Sequence, residues 1–124
     1  MNRQPHVLIV EDDPWFAKQH IRILEKSGCT ATWVADGIAA IAALDEQRPD
    51  AIVLDLFLPG PNAIVLLHEI QSYADLATIP VIICSGRAAD VSRHALKSYG
   101  VVDVLDKATM QPADLVAAVK RELL

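Results

Sequence analysis

The sequence predicts an α/β protein: a doubly wound, five-stranded parallel sheet of order 2-1-3-4-5, with five helices spread over both faces. Three observations lead there. Apolar runs at His6–Val10, Ala51–Leu54 and Pro80–Cys84 are continuous rather than alternating, as in strands buried on both faces. Each run gives way to a helix-like segment, so strands and helices alternate along the chain. The 124 residues are 52% apolar and 22% charged, which suits a single domain, residues 1–124, with a real core.

The first strand, His6-Val-Leu-Ile-Val10, ends abruptly in Glu11-Asp12-Asp13-Pro14. Pro14 suits the first turn of a helix, where a missing N–H costs nothing, and Asp13 is the expected N-cap. Phe16, Ala17, Ile21 and Leu24 follow at helical spacing up to the Ser27-Gly28 stop, with Trp15 lying over the helix start. Thr30–Val34 is a second, more polar strand, expected at a sheet edge. Asp36-Gly37 opens a helix that runs through Ile38, Ile41 and Leu44 and ends before Pro49. The third strand is Ala51–Asp55, and residues 62–73 form a helix with Ile64, Leu67 and Ile70 turned inward. Pro80–Gly86 is the fourth strand, and residues 88–99 make a helix rich in small and polar residues, ended by Gly100. Val101–Leu105 and Pro112–Leu123 supply the last strand and helix. Strands 1, 3 and 4 are the most apolar and belong in the middle. Right-handed crossovers then place the topological switch point between strands 1 and 3.

A net charge of −5 argues against a nucleic-acid surface, which needs clustered Lys and Arg. No apolar stretch reaches the roughly 18 residues of a membrane span. Met1-Asn-Arg-Gln-Pro5 leads straight into a strand and lacks a signal-peptide core, so a cytoplasmic protein is expected. Cys29 and Cys84 then read as reduced thiols, and His6, His20, His68 and His94 are too scattered for a zinc site.

Ligands of such sheets bind beyond the carboxyl ends of the strands, at the switch point. This fold would bring Glu11, Asp12 and Asp13 there from strand 1, Asp55 from strand 3, Ser85 from strand 4 and Lys107 after strand 5. Clustered carboxylates repel by roughly 4 kcal/mol per close pair at an effective dielectric near 20, so a cation or proton must neutralise them. Oxygen-only donors select a hard ion, and Mg²⁺ suits one or two carboxylates plus water. Asp55 could then act as a nucleophile toward phosphorus, with Lys107 and Ser85 stabilising the transferring group. Each residue also has a plain structural reading. Asp55 could be a strand-end cap, the acidic run a solvated helix N-terminus, Ser85 a turn residue and Lys107 a surface lysine.

The stretches Val-Leu-Ile-Val-Glu11-Asp12-Asp13-Pro, Val-Leu-Asp55-Leu-Phe-Leu-Pro59-Gly60, Pro80-Val-Ile-Ile-Cys-Ser85-Gly86 and Leu105-Asp-Lys107 occur in order. Together they resemble the receiver domain of bacterial two-component response regulators, over residues 6–123. The resemblance implies that Asp55 is the phosphoacceptor and Asp12 a direct Mg²⁺ ligand. Glu11 would act through water, and the Phe57 carbonyl would be a further ligand. It implies Ser85 as the switch hydroxyl and Lys107 as the partner of the phosphoryl group. The phosphoryl donor would be a histidine kinase or phosphotransfer protein, and the output a downstream protein effector or a covalently linked domain. Phe57 and Arg87 match positions that tune dephosphorylation. Such a domain is a switch rather than a turnover enzyme. The alternatives are a receiver-shaped interaction module that does not use phosphate, and a Mg²⁺-dependent aspartyl-phosphate phosphohydrolase.

The chain departs from the family pattern in four places. Ala108 stands where a proline in a cis peptide usually follows the lysine, and a trans bond or a reshaped loop is expected instead. Ala63 replaces a usual glycine. Val104 replaces the aromatic residue that usually moves with the switch hydroxyl, which leaves the face of the fourth helix, with Tyr99, to carry the signal. Ala118 stands where dimer-forming members tend to have arginine, so Asp103 is expected to lack a cross-subunit partner.

Overall fold

Alternate residues of each apolar run face opposite sides, and two cores result. A computed structural model describes residues 4–56, 63–86 and 92–123. Its strands are β1 (His6–Val10), β2 (Thr30–Val34), β3 (Ala51–Leu54), β4 (Val81–Ser85) and β5 (Val101–Asp106). Its helices are α1 (Pro14–Lys26), α2 (Gly37–Glu46), α3 (Ala63–Gln71), α4 (Arg93–Leu96) and α5 (Pro112–Leu123). The strands pair in parallel in the order β2-β1-β3-β4-β5. Leu8, Val10, Ile52, Leu54, Val81 and Ile83 pack under α2, α3 and α4, together with Leu44, Leu67, Ile70 and Leu96. Val7, Ile9, Val53, Ile82 and Cys84 pack on the other face against Leu24 of α1 and Leu115 and Val119 of α5. Cys29 and Cys84 are buried free thiols, and burial pushes the Cys84 thiol up to about 12. No helix among the described residues is long and apolar enough to cross a membrane.

Strand register places the residues at the carboxyl edge. Val10 lies opposite Leu54, so the next residues on the two strands, Glu11 and Asp55, emerge side by side. Ser85 lies opposite Asp106, and Lys107 comes directly after it in the chain. A small register shift at Val81/Ile82 precedes this pairing.

Two expectations need correction. Ile64 does not turn inward; it is 37% exposed, while Ala63, Leu66, Leu67 and Ile70 are buried. The inward stripe of α3 starts at Ala63 and repeats at helical spacing, which leaves Ile64 at its rim. The helix expected over residues 88–99 is, in its described part, a single turn of α4 continued by a 3-10 turn, Lys97–Tyr99. Leu96 is the one buried residue of α4, which is little apolar face to hold a longer helix by packing. Residues 88–91 lie outside the described set. Ala118 is buried in the core, and Asp103 pairs within the chain with Arg93 (3.4 Å) and Arg121 (3.5 Å).

Gly100 ends the 3-10 turn at φ 80°, a left-handed conformation that side chains disfavour, and a Cβ there would lie 3.1 Å from Gln71 Nε2. Gly100→Ala should therefore cost about 1–2 kcal/mol in urea melts. Leu67→Ala empties fully buried space and should cost about 2–5 kcal/mol. Ile38→Ala, at a position 71% exposed, should stay within about 0.5 kcal/mol in the same assay.

Candidate functional site

The site forms where β1, β3, β4 and β5 run out. Glu11 leaves β1 with its backbone tied to the edge strand: its N–H donates to Val34 O (3.1 Å), and its carbonyl accepts the Trp33 indole N–H (2.7 Å). That indole bond is a support the sequence did not announce, because β2 reads only as a polar edge strand. Asp13 caps α1 as expected, its Oδ1 accepting from Trp15 N (2.8 Å), and its own N–H donates to Glu11 Oε2 (3.2 Å). Asp55 sits one residue beyond the end of β3, its N–H donating to Val10 O (3.0 Å).

Glu11, Asp12 and Asp55 can each offer a carboxylate oxygen within 4.8 Å of the others. Glu11 and Asp55 are buried, and Asp12 is exposed. Lys107 closes the group. Its side chain is only 9% exposed, and Nζ lies 2.5 Å from Glu11 Oε1 and 3.1 Å from Asp55 Oδ2. The plain reading of Lys107 as a surface lysine therefore fails. Ser85 ends β4 wholly buried, and its carbonyl accepts the Lys107 N–H (3.0 Å). The turn after β5 is built on Asp106, whose Oδ1 accepts Ala108 N (2.8 Å) and whose carbonyl accepts Met110 N (2.8 Å). No cis peptide occurs among the described residues, so Lys107–Ala108 is trans as expected. Phe57 and Arg87 lie outside the described residues.

Burial dominates the electrostatics. It pushes the Glu11 carboxyl up from 4.5 to about 7, against the hydrogen bond from Lys107. Burial works against the Lys107 ammonium as well. Its hydrogen bond to Glu11 and the charge of Asp55 outweigh that and hold it above its ordinary value. His20, buried on α1 without being singled out by the sequence, is pushed down to about 4 by burial and then by Lys107, so it is neutral. Its Nδ1 has no hydrogen-bond partner among the described residues.

With Glu11 ionised, three carboxylates face one ammonium, a surplus of two negative charges. The donors are oxygens only, with one of the three carboxylates open to water. That set fits a hard, partly hydrated divalent cation such as Mg²⁺.

In the sequence Phe16 reads only as part of the apolar stripe of α1, yet its ring lies beneath Lys107 Nζ, 4.5 Å from centroid to nitrogen. Trp15 meets the same ring edge-on at 5.0 Å. Spacing along the helix gives no sign of either contact, since the lysine arrives from a turn 91 residues later.

Residues 7–120 match the response regulator receiver domain family. The chain is 33% identical over 123 residues to the transcriptional regulatory protein CseB of Streptomyces avermitilis, covering 99% of this chain and 51% of that protein. The chain spans about half the length of the curated relatives it matches. Its backbone is similar to that of the receiver domain of the sensor histidine kinase PA1611 from Pseudomonas aeruginosa PAO1, a structure with a magnesium ion coordinated in the active site cleft. That likeness has a TM-score of 0.86 at 29% identity, covering 97% of this chain and 98% of the other. A CheY-like response regulator receiver domain from Methylobacillus flagellatus matches with a TM-score of 0.83 at 25% identity, covering 96% and 98%. Two strand ends that bring acidic groups to one lysine, and a family match across nearly the whole chain, lead to one conclusion: this chain belongs to the response regulator receiver domain family.

Proposed function

We propose that this chain is a phosphorylation-controlled signalling switch of the cytoplasm, with Asp55 as the phosphoacceptor. The donor is a histidine kinase or phosphotransfer protein, and the output is a downstream protein effector or a covalently linked domain. The observation that carries the reading is the convergence of Glu11, Asp12 and Asp55, with Lys107 Nζ paired to Glu11 and Asp55. A stable fold has no need to bring such a cluster together, whereas phosphoryl transfer needs both a nucleophile and fixed positive charge beside it.

Glu11, Asp12 and Asp55 would hold Mg²⁺, with the Phe57 carbonyl as the further ligand that the resemblance implies. Bound there, the ion supplies positive charge for the phosphoryl oxygens. An Asp55 carboxylate oxygen attacks phosphorus. The bond from phosphorus to the donor nitrogen breaks, and the electron pair leaves with the imidazole, which takes up a proton. Lys107 has three N–H donors and can turn from Asp55 Oδ2 to a phosphoryl oxygen without leaving its place. The new group brings about −2 charge and acceptor oxygens, which draw the Ser85 hydroxyl toward it. On β5 the buried position under α4 is Val104, whose carbonyl accepts Arg93 Nη2 (2.9 Å). The face of α4 therefore transmits the change without an aromatic gate on β5. Tyr99, whose hydroxyl meets His68 Nε2 at 3.0 Å, ties that face to α3.

Incubation with Mg²⁺ and phosphoramidate, followed by intact mass, should add one phosphoryl group to the wild type and none to Asp55→Asn. Continuous phosphate release at enzyme-like rates would instead favour the phosphohydrolase.

The raised Glu11 carboxyl sets the pH dependence. From 4.5 to about 7 the folded chain keeps a proton that the unfolded chain has lost. Stability of the metal-free chain should therefore fall as pH rises through that window, and Glu11→Gln should flatten the slope in urea melts. Magnesium affinity should run the other way, tightening as the Glu11 proton leaves near pH 7.

A further inference from the structure

We infer that Phe16 is a positioning residue for Lys107: its ring seats the ammonium beside Asp55, and Trp15 braces the ring. The inference rests on the proposed role of Asp55 but reaches a residue outside the acidic cluster.

The backbone around Lys107 is well held, but the side chain is a separate matter. Asp106 organises the turn through Ala108 and Met110, and Ser85 takes the Lys107 N–H. None of these bonds touches the flexible four-carbon stem, which carries large rotamer freedom. Two of the contacts that direct it are the carboxylates of Glu11 and Asp55. A third is the face of Phe16, 4.5 Å from Nζ, which meets the ammonium with the negative side of an aromatic quadrupole. The lysine side chain is only 9% exposed, and there such a contact counts for more than at the surface.

The ring is itself supported. Trp15 stands against it edge-on, with centroids 5.0 Å apart and planes at 87°. Trp15 is 62% exposed, so its own burial does not explain its place, whereas bracing Phe16 does. The seat is most needed when Asp55 reacts. At that moment Lys107 exchanges a carboxylate for a phosphoryl oxygen, and the ring is the uncharged contact that need not change.

The test uses the 124-residue chain. In wild type, the Lys107 ε-methylene protons, assigned by their loss in Lys107→Arg, should be shifted upfield by the ring current. Phe16→Leu should return them to the ordinary lysine position, and Phe16→Tyr should keep the shift. Phosphoryl uptake from phosphoramidate should slow by roughly 3- to 10-fold in Phe16→Leu, with magnesium affinity and the Phe16→Tyr uptake rate held within about 2-fold. Unshifted wild-type protons, or unchanged uptake in Phe16→Leu, would overturn the seat. So would equal slowing in the leucine and tyrosine variants, because then bulk and not the aromatic face matters. A wild type that takes up no phosphoryl group would sink the role of Asp55, while the proton shift still judges the seat by itself.

Discussion

One ammonium holds the carboxyl edge of this sheet together. Glu11 leaves β1, Asp55 leaves β3, and Lys107 arrives from the turn after β5, so a single side chain ties three strand ends. Ion pairs at such depth are held together only by close geometry, because desolvation otherwise outweighs the attraction. Glu11 shows how near the balance lies: its burial lifts the carboxyl toward neutrality even with Lys107 at hydrogen-bond distance. Such a centre is poised to accept further positive charge.

The rest of the fold serves that edge. A parallel sheet sends all its strands out on the same side, and the register of β1 with β3 delivers Glu11 and Asp55 together. The edge strand contributes through Trp33, whose indole pins the Glu11 carbonyl, and α1 contributes its Asp13 cap. Both steady the backbone on which the acidic pair is mounted. The aromatic pair Trp15–Phe16 then supports the cation from the helix side.

The opposite flank is arranged differently. Asp103 is engaged by Arg93 and Arg121 of its own chain, so α4, β5 and α5 are cross-linked by charge without a second subunit. Val104 fills its core position with no aromatic ring to move, and Tyr99 joins α3 to the end of α4 through His68. Conformational change on this side would pass through short helix and turn contacts, where few buried apolar groups hold the backbone.

By itself the sequence determined the class of fold, the order of its strands and the acidic character of the carboxyl edge. These follow from local patterns: continuous apolar runs, caps and breakers report strand and helix before any packing is known. The resemblance added names for the roles of Asp55, Ser85 and Lys107. Only the tertiary structure decided that Lys107 turns its side chain into the site, that Glu11 rather than Asp12 is its close partner, and that Ile64 lies outside the core. It alone revealed Trp33, His20 and Phe16 around the site. The physical reason is distance along the chain. Desolvation, ion pairing and ring contacts depend on which remote segments meet, and one-dimensional spacing carries no record of that.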